Sequence, residues 1–142
     1  MAVALQRLVR RALLTRLKAD AALVAAVSKA SINPLGVPTW PFVILRAPRT
    51  RRLRATGVNA GTVAFDIHAF ARDREDAGQV VETGEDHAGR IGGLIETALA
   101  DTRITFEGVT MRVSLSDMRL IDDGEPGAWH YFAQVNVRVL AG

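Results

Sequence analysis

Between Thr62 and Leu99 the spacing of apolar residues changes, and the change divides the stretch into a strand and a helix. From Thr62 to Phe70, Val63, Phe65, Ile67 and Ala69 share one face of a pleated strand, with Thr62, Asp66 and His68 on the other. After a polar turn at Arg72 to Asp76, the residues Val80, Gly84, His87, Ala88, Ile91, Leu94, Ile95 and Ala98 recur three or four apart. This spacing predicts a helix whose apolar stripe covers the strand. Glu75 and Asp76 suit the positive end of its dipole, and Asp101-Thr102 is a polar stop. Gly84, Gly89, Gly92 and Gly93 lie inside the pattern, and a helical Gly costs about 0.8 to 1 kcal/mol relative to Ala. They predict a kink or a backbone packed unusually close to something.

Upstream, Val3, Leu5, Leu8, Val9, Ala12, Leu13 and Leu17 trace one face of an amphipathic helix, with Gln6, Arg7, Arg10, Arg11 and Lys18 elsewhere. Core packing is the favoured role for that face over a membrane surface, since the helix is short and has no Trp or Phe anchor. Asp20 is placed to cap a second short helix over Ala21 to Val27. Pro34, Gly36, Pro38 and Pro41 mark an irregular crossing, and Trp40 is expected to plug the core. The uninterrupted run Phe42 to Leu45 predicts a strand covered on both faces. Arg46, Arg49, Arg51, Arg52 and Arg54 then crowd a segment containing Pro48, Thr50 and Gly57, which predicts an exposed loop between two strands.

Downstream, Arg103 to Phe106 and Val109 to Leu115 flank Glu107-Gly108 as a hairpin. The apolar alternation slips by one residue at Ser116-Asp117, which predicts a bulge or a break. An acidic turn from Asp122 to Gly127 leads into a last strand, Trp129 to Leu140. That strand places Trp129, Tyr131, Ala133, Val135, Val137 and Val139 opposite His130, Gln134, Asn136 and Arg138. The order of elements reads as α+β: a mainly antiparallel sheet of about five strands, with an N-terminal helix and one long helix packed on one side. The 142 residues fit a single domain, 1–142, and show no internal repeat.

Charge changes this picture more than bulk composition does. Net charge is +3, yet residues 1–54 carry eleven bases and one acid, a net of +10, whereas residues 55–142 carry seven bases and fourteen acids, a net of −7. Three readings follow: an anionic partner for the first half, copies associating basic part to acidic part, or both signs mixing on the folded surface. For the arginine cluster the same choice is a solvated loop, phosphate contact, or docking on an acidic protein surface. There is no cysteine, no apolar run long enough for a membrane span and no signal-peptide core, so a soluble, non-exported chain is expected.

Catalytic chemistry finds little to stand on. The helical glycines lack the Lys-Ser/Thr of a phosphate loop, and none of the four serines sits in a G-x-S-x-G elbow. His68, His87 and His130 lie on three elements without metal-like spacing, although His68 and His130 could meet on the polar face of the sheet near Asp66. The sequence therefore offers no catalytic, cofactor-binding or metal site.

The run Leu5-x-x-Leu8 to Leu17-Lys18-Ala19-Asp20-Ala21-Ala22-Leu23, then Pro34 to Pro41-Phe42-Val43, then Phe65-Asp66-Ile67-His68-Ala69-Phe70 and a helix, resembles the phage tail completion proteins. These include the tail terminators of long-tailed phages and gene transfer agents. The resemblance covers almost the whole chain and implies a non-enzymatic structural protein of the virion, made in the bacterial host cytoplasm. It implies a homo-hexameric ring at the head-proximal end of the tail that ends tube polymerisation. The implied partners are further copies, the tail tube protein and the head-tail connector or stopper, with DNA passing through the lumen without sequence-specific binding and no membrane. The arginine cluster is richer than that family leads one to expect. On the residues alone, contact with a neighbour is assigned to Arg46, Arg49, Arg51, Arg52 and Arg54, helped by Asp122, Asp123 and Glu125. Rival readings are another neck protein, a stopper or adaptor, and a basic nucleic-acid-binding module.

Overall fold

The computed structural model describes residues 2–52 and 61–139. Helix α1 (Ala2–Ala19) buries Val9, Ala12, Leu13 and Leu17, the face that the apolar spacing marks. The Asp20 carboxylate accepts the Leu23 N–H at 2.9 Å and so starts α2 (Ala21–Ala26). A five-stranded antiparallel sheet follows, with spatial order β1 (Phe42–Arg52), β2 (Gly61–Ala71), β7 (Trp129–Val139), β6 (Val109–Asp122) and β5 (Thr102–Phe106). Between β2 and α3 (Gly84–Leu99) stands a separate hairpin of β3 (Arg74–Asp76) and β4 (Gln79–Glu82).

One face of the sheet is the core. Val63, Phe65, Ile67 and Ala69 of β2, Tyr131 to Val139 at alternate positions of β7, and Met111 and Val113 of β6 are buried against α1 and α3. The α+β reading holds, with both long helices on that side. The turn at Glu107-Gly108 has φ of 50° and 78°. The predicted slip is a bulge: pairing shifts between Ser116 and Arg119, around Asp117 at φ 53°. Among the described residues, no helix is long and apolar enough to cross a membrane.

Three expectations need correction. First, α3 begins at Gly84, not near Glu75 and Asp76, which lie in β3; Val80 belongs to β4 and is 52% exposed. Ala77 and Gly78 both take positive φ, 51° and 78°, the geometry that closes a two-residue hairpin. The cap is Thr83, whose hydroxyl accepts the Asp86 N–H at 3.2 Å, and the first-turn acids are Glu85 and Asp86. Glu82 ties hairpin to helix, receiving Arg74 Nε and Arg90 Nε at 2.8 Å each, and these bonds, that from Arg90 foremost, hold its pKa down at about 2.

Second, Arg46, Arg49, Arg51 and Arg52 lie in β1 itself and not in a loop; Arg54 lies outside the described residues. Pairing with Asp66, Ala64, Thr62 and Gly61 of β2 places them on an edge strand, where a bulge at Ala47-Pro48 interrupts the ladder. Third, Trp40 does not plug the core. It lies at the end of the sheet, edge-on to Phe42 and Phe70 of the outer face. Of the helical glycines, Gly84 and Gly92 show the close packing expected, since a Cβ on Gly92 would run into the Tyr131 ring and one on Gly84 into the Gly127 carbonyl. At Gly93 the space is open.

Candidate interaction surface

The face of the sheet turned away from the helices is uncovered among the described residues, and the strand register sorts its side chains into rows. At the end near the β6–β7 loop one row is Phe42, Phe70, His130 and Ile121, and the next is Ile44, His68, Phe132 and Arg119. Arg46, Asp66, Gln134 and Ser116 follow, then Arg49, Ala64, Asn136 and Ser114. The last row crosses all five strands as Arg51, Thr62, Arg138, Arg112 and Arg103. Adjacent strands lie about 4.8 Å apart, so this row is roughly 19 Å long.

At the first end the aromatic groups satisfy one another. Phe42 and Phe70 stack at 4.8 Å, Phe70 and His130 lie 4.8 Å apart, and His68 meets His130 at 5.3 Å and Phe132 at 5.2 Å. The Arg72 guanidinium sits 4.1 Å from the Trp40 ring centre and Arg119 sits 4.9 Å from that of Phe132. The two histidines thus do meet on the polar face. His130 Nδ1 is 2.5 Å from Asp123 Oδ1, whereas the buried His68 Nδ1 has no hydrogen-bond partner. Burial, then His130 and Arg46, lower the pKa of His68, with Asp66 and Asp123 opposing.

The candidate acids are each engaged locally. Asp122 accepts the Gly124 N–H at 2.8 Å, Asp123 binds His130, and Glu125 pairs with Arg72 at 3.4 Å. They sit at the opposite end of the strands from Arg51, so the structure does not join them to the arginines within one chain. Among the arginines, Arg49 pairs with Asp66 at 3.1 Å, and Arg46 and Arg51 are exposed on the same face. What sequence reasoning missed is that Arg51 aligns with Arg103, Arg112 and Arg138. The only local signal was their placement at polar-face positions of separate strands.

A cleft of about 570 Å³ beside Trp40 is lined by Arg72, Asp73, Arg74, His87 and Arg90 among others. Its polar groups are already committed: Arg74 and Arg90 to Glu82, Arg72 to Glu125, Asp73 to the Gly84 N–H at 2.6 Å, and His87 Nδ1–H to the Arg72 carbonyl at 2.8 Å. No group of three or more His, Cys, Asp or Glu placed to hold a metal ion occurs among the described residues. The open face thus carries mutually covering rings at one end and exposed guanidiniums at the other.

Comparison with known proteins bears on the family and fold of the chain. The profile of the family described as tail completion protein gp17 matches residues 11–140. A chain from the solved virion of a native gene transfer agent particle shares the fold, with TM-score 0.73 over 94% of each chain at 15% identity. No curated protein sequence matches.

Proposed function

Because this chain belongs to the tail completion protein gp17 family, we propose that it caps the head-proximal end of a tail tube as a ring of identical subunits, six by the resemblance, ending tube growth and receiving the head connector or stopper. Family membership makes it a structural protein of a phage-type tail, located in the virion. The observation that carries the reading is the family match across residues 11–140. Two features of the surface support the finer part. Exposed bases and exposed acids lie at opposite ends of one sheet, the arrangement that lets one copy meet the next head to tail and close a ring. The loop before β1 also holds Leu35 and Val37 almost fully in solvent, at 99% and 93% exposure, as apolar contacts for another subunit or neck component. In this reading the chain is not a catalyst, and DNA passes through the lumen without being read.

Native mass spectrometry over a range of concentrations, with and without tail tube protein, followed by negative-stain imaging, tests the proposal. A closed ring of a single subunit count is expected, alone or once the tube is present. A chain that stays monomeric beside assembled tubes would overturn it, and localisation to a position other than the tail end in virions would favour a stopper or adaptor.

A further inference from the structure

We infer that the row Arg51, Arg138, Arg112 and Arg103 is the docking surface for the acidic end of a second copy of this chain. The inference deepens the ring reading and rests on it. All four side chains are exposed, and none has an ion-pair partner among the described residues. Arg138 stands directly opposite Arg112, and Arg112 directly opposite Arg103. Like charges facing each other across neighbouring strands destabilise a sheet, so the isolated subunit carries a strain that an acidic surface would relieve.

The complementary surface is on the same molecule. Glu75 and Asp76 of β3 and Glu85 and Asp86 of the first turn of α3 are exposed and in no ion pair among the described residues. Both elements follow the end of β2 that pairs with Trp129, whereas the arginine row crosses β2 at Thr62, at the other end. Pairing inside the subunit sharpens this separation. Near the row, Asp66 and Glu107 are taken by Arg49 and Arg11, leaving Asp101 at the foot of β5 as the exception. At the far end, Arg72, Arg74 and Arg90 are taken by Glu125 and Glu82. Across β5, β6, β7, β3 and the first turn of α3, what remains unpaired is bases at one end and acids at the other. Such a chain fits its own copies in a heterologous contact that repeats around a ring. A nucleic acid would match only one end and be repelled by the other.

The test uses charge-reversed variants of the full chain: Arg112→Glu with Arg138→Glu, and separately Glu75→Arg with Glu85→Arg. Circular dichroism checks that each folds, and the milder pair Arg112→Gln with Arg138→Gln serves if the first does not. Self-association of each variant alone, measured as in the wild type, is expected to weaken roughly tenfold or more. Mixed in equal amounts, the two reversed variants should recover closed rings of alternating subunits, because each restores the other's contact. Wild-type rings should loosen as salt screens the pair. Row variants that assemble as the wild type does overturn this inference while leaving the ring standing, as does a mixture that recovers nothing. Row variants that assemble normally but lose salt-sensitive DNA binding would assign the row to phosphate instead. A wild-type chain that stays monomeric even with tube protein overturns the ring reading and this inference together.

Discussion

The two ends of the open sheet face share one backbone ladder and differ in whether their side chains find partners within the chain. At the first, Phe42, Phe70, His68, His130 and Phe132 lie in mutual contact, with Arg72 and Arg119 over aromatic rings. At the second, Arg138, Arg112 and Arg103 stand side by side, with Arg51 beyond Thr62 in the same row, and none of the four is ion-paired among the described residues. Position on a sheet face therefore says little about role. Aromatic groups that cover each other lower the free energy of the single subunit, whereas like-charged guanidiniums facing each other raise it, a repulsion that the proposed contact with a second copy would relieve.

The largest expected effect is at the aromatic end. Phe70→Ala removes the ring between Phe42, Trp40, His68 and His130 and should destabilise the subunit by about 2 to 3 kcal/mol in urea unfolding, below the roughly 3 to 5 kcal/mol of a fully buried Phe because this ring is only partly covered. A loss within a few tenths of a kcal/mol of zero would show the cluster to be incidental. A smaller effect follows from His68. Its folded pKa lies below the unfolded value of 6.5, so the folded state binds its proton less readily. The contribution to stability is complete above pH 6.5 and is lost as pH falls through the folded pKa, so denaturation midpoints should drop on acidification from there. His68→Gln should flatten that part of the profile; an unchanged slope would assign it to other groups.

The smallest effect is at the arginine end. Arg112→Gln with Arg138→Gln should leave thermal stability of the monomer unchanged or raise it by about 0.2 to 1 kcal/mol, since a repulsive opposed pair is removed. A clear loss of stability would mean that the row is satisfied within the subunit, and the contrast between the two ends would collapse.

Much of the architecture was legible because it is written locally. The period of two in β2 and β7, the Asp20 cap, the Glu107-Gly108 turn and the slip at Asp117 each depend on a few neighbouring residues, and each appears in the structure. The β3–β4 hairpin was not legible, because Val80 and Gly84 happen to be four apart and so extend the helical stripe across a boundary that Thr83 sets. Trp40 was misplaced for a different reason: a large apolar ring before a strand can cover either face, and here the aromatic cluster on the outer face competes successfully with the core.

The sequence by itself determined which residues line each face of β2, of β7 and of β6 up to its bulge, because side-chain direction alternates with position, and it carried the charge imbalance between the two parts of the chain. It also carried the pattern that joins the chain to its family. Only the tertiary structure decided that Arg51, Arg138, Arg112 and Arg103 form one row. That alignment depends on β2 pairing with β7 and β7 with β6, whose registers are set by packing the apolar face against α1 and α3 and by the bulge at Asp117. A slip of one residue in any of those pairings would turn an arginine toward the core, so burial of the other face is what holds the row together.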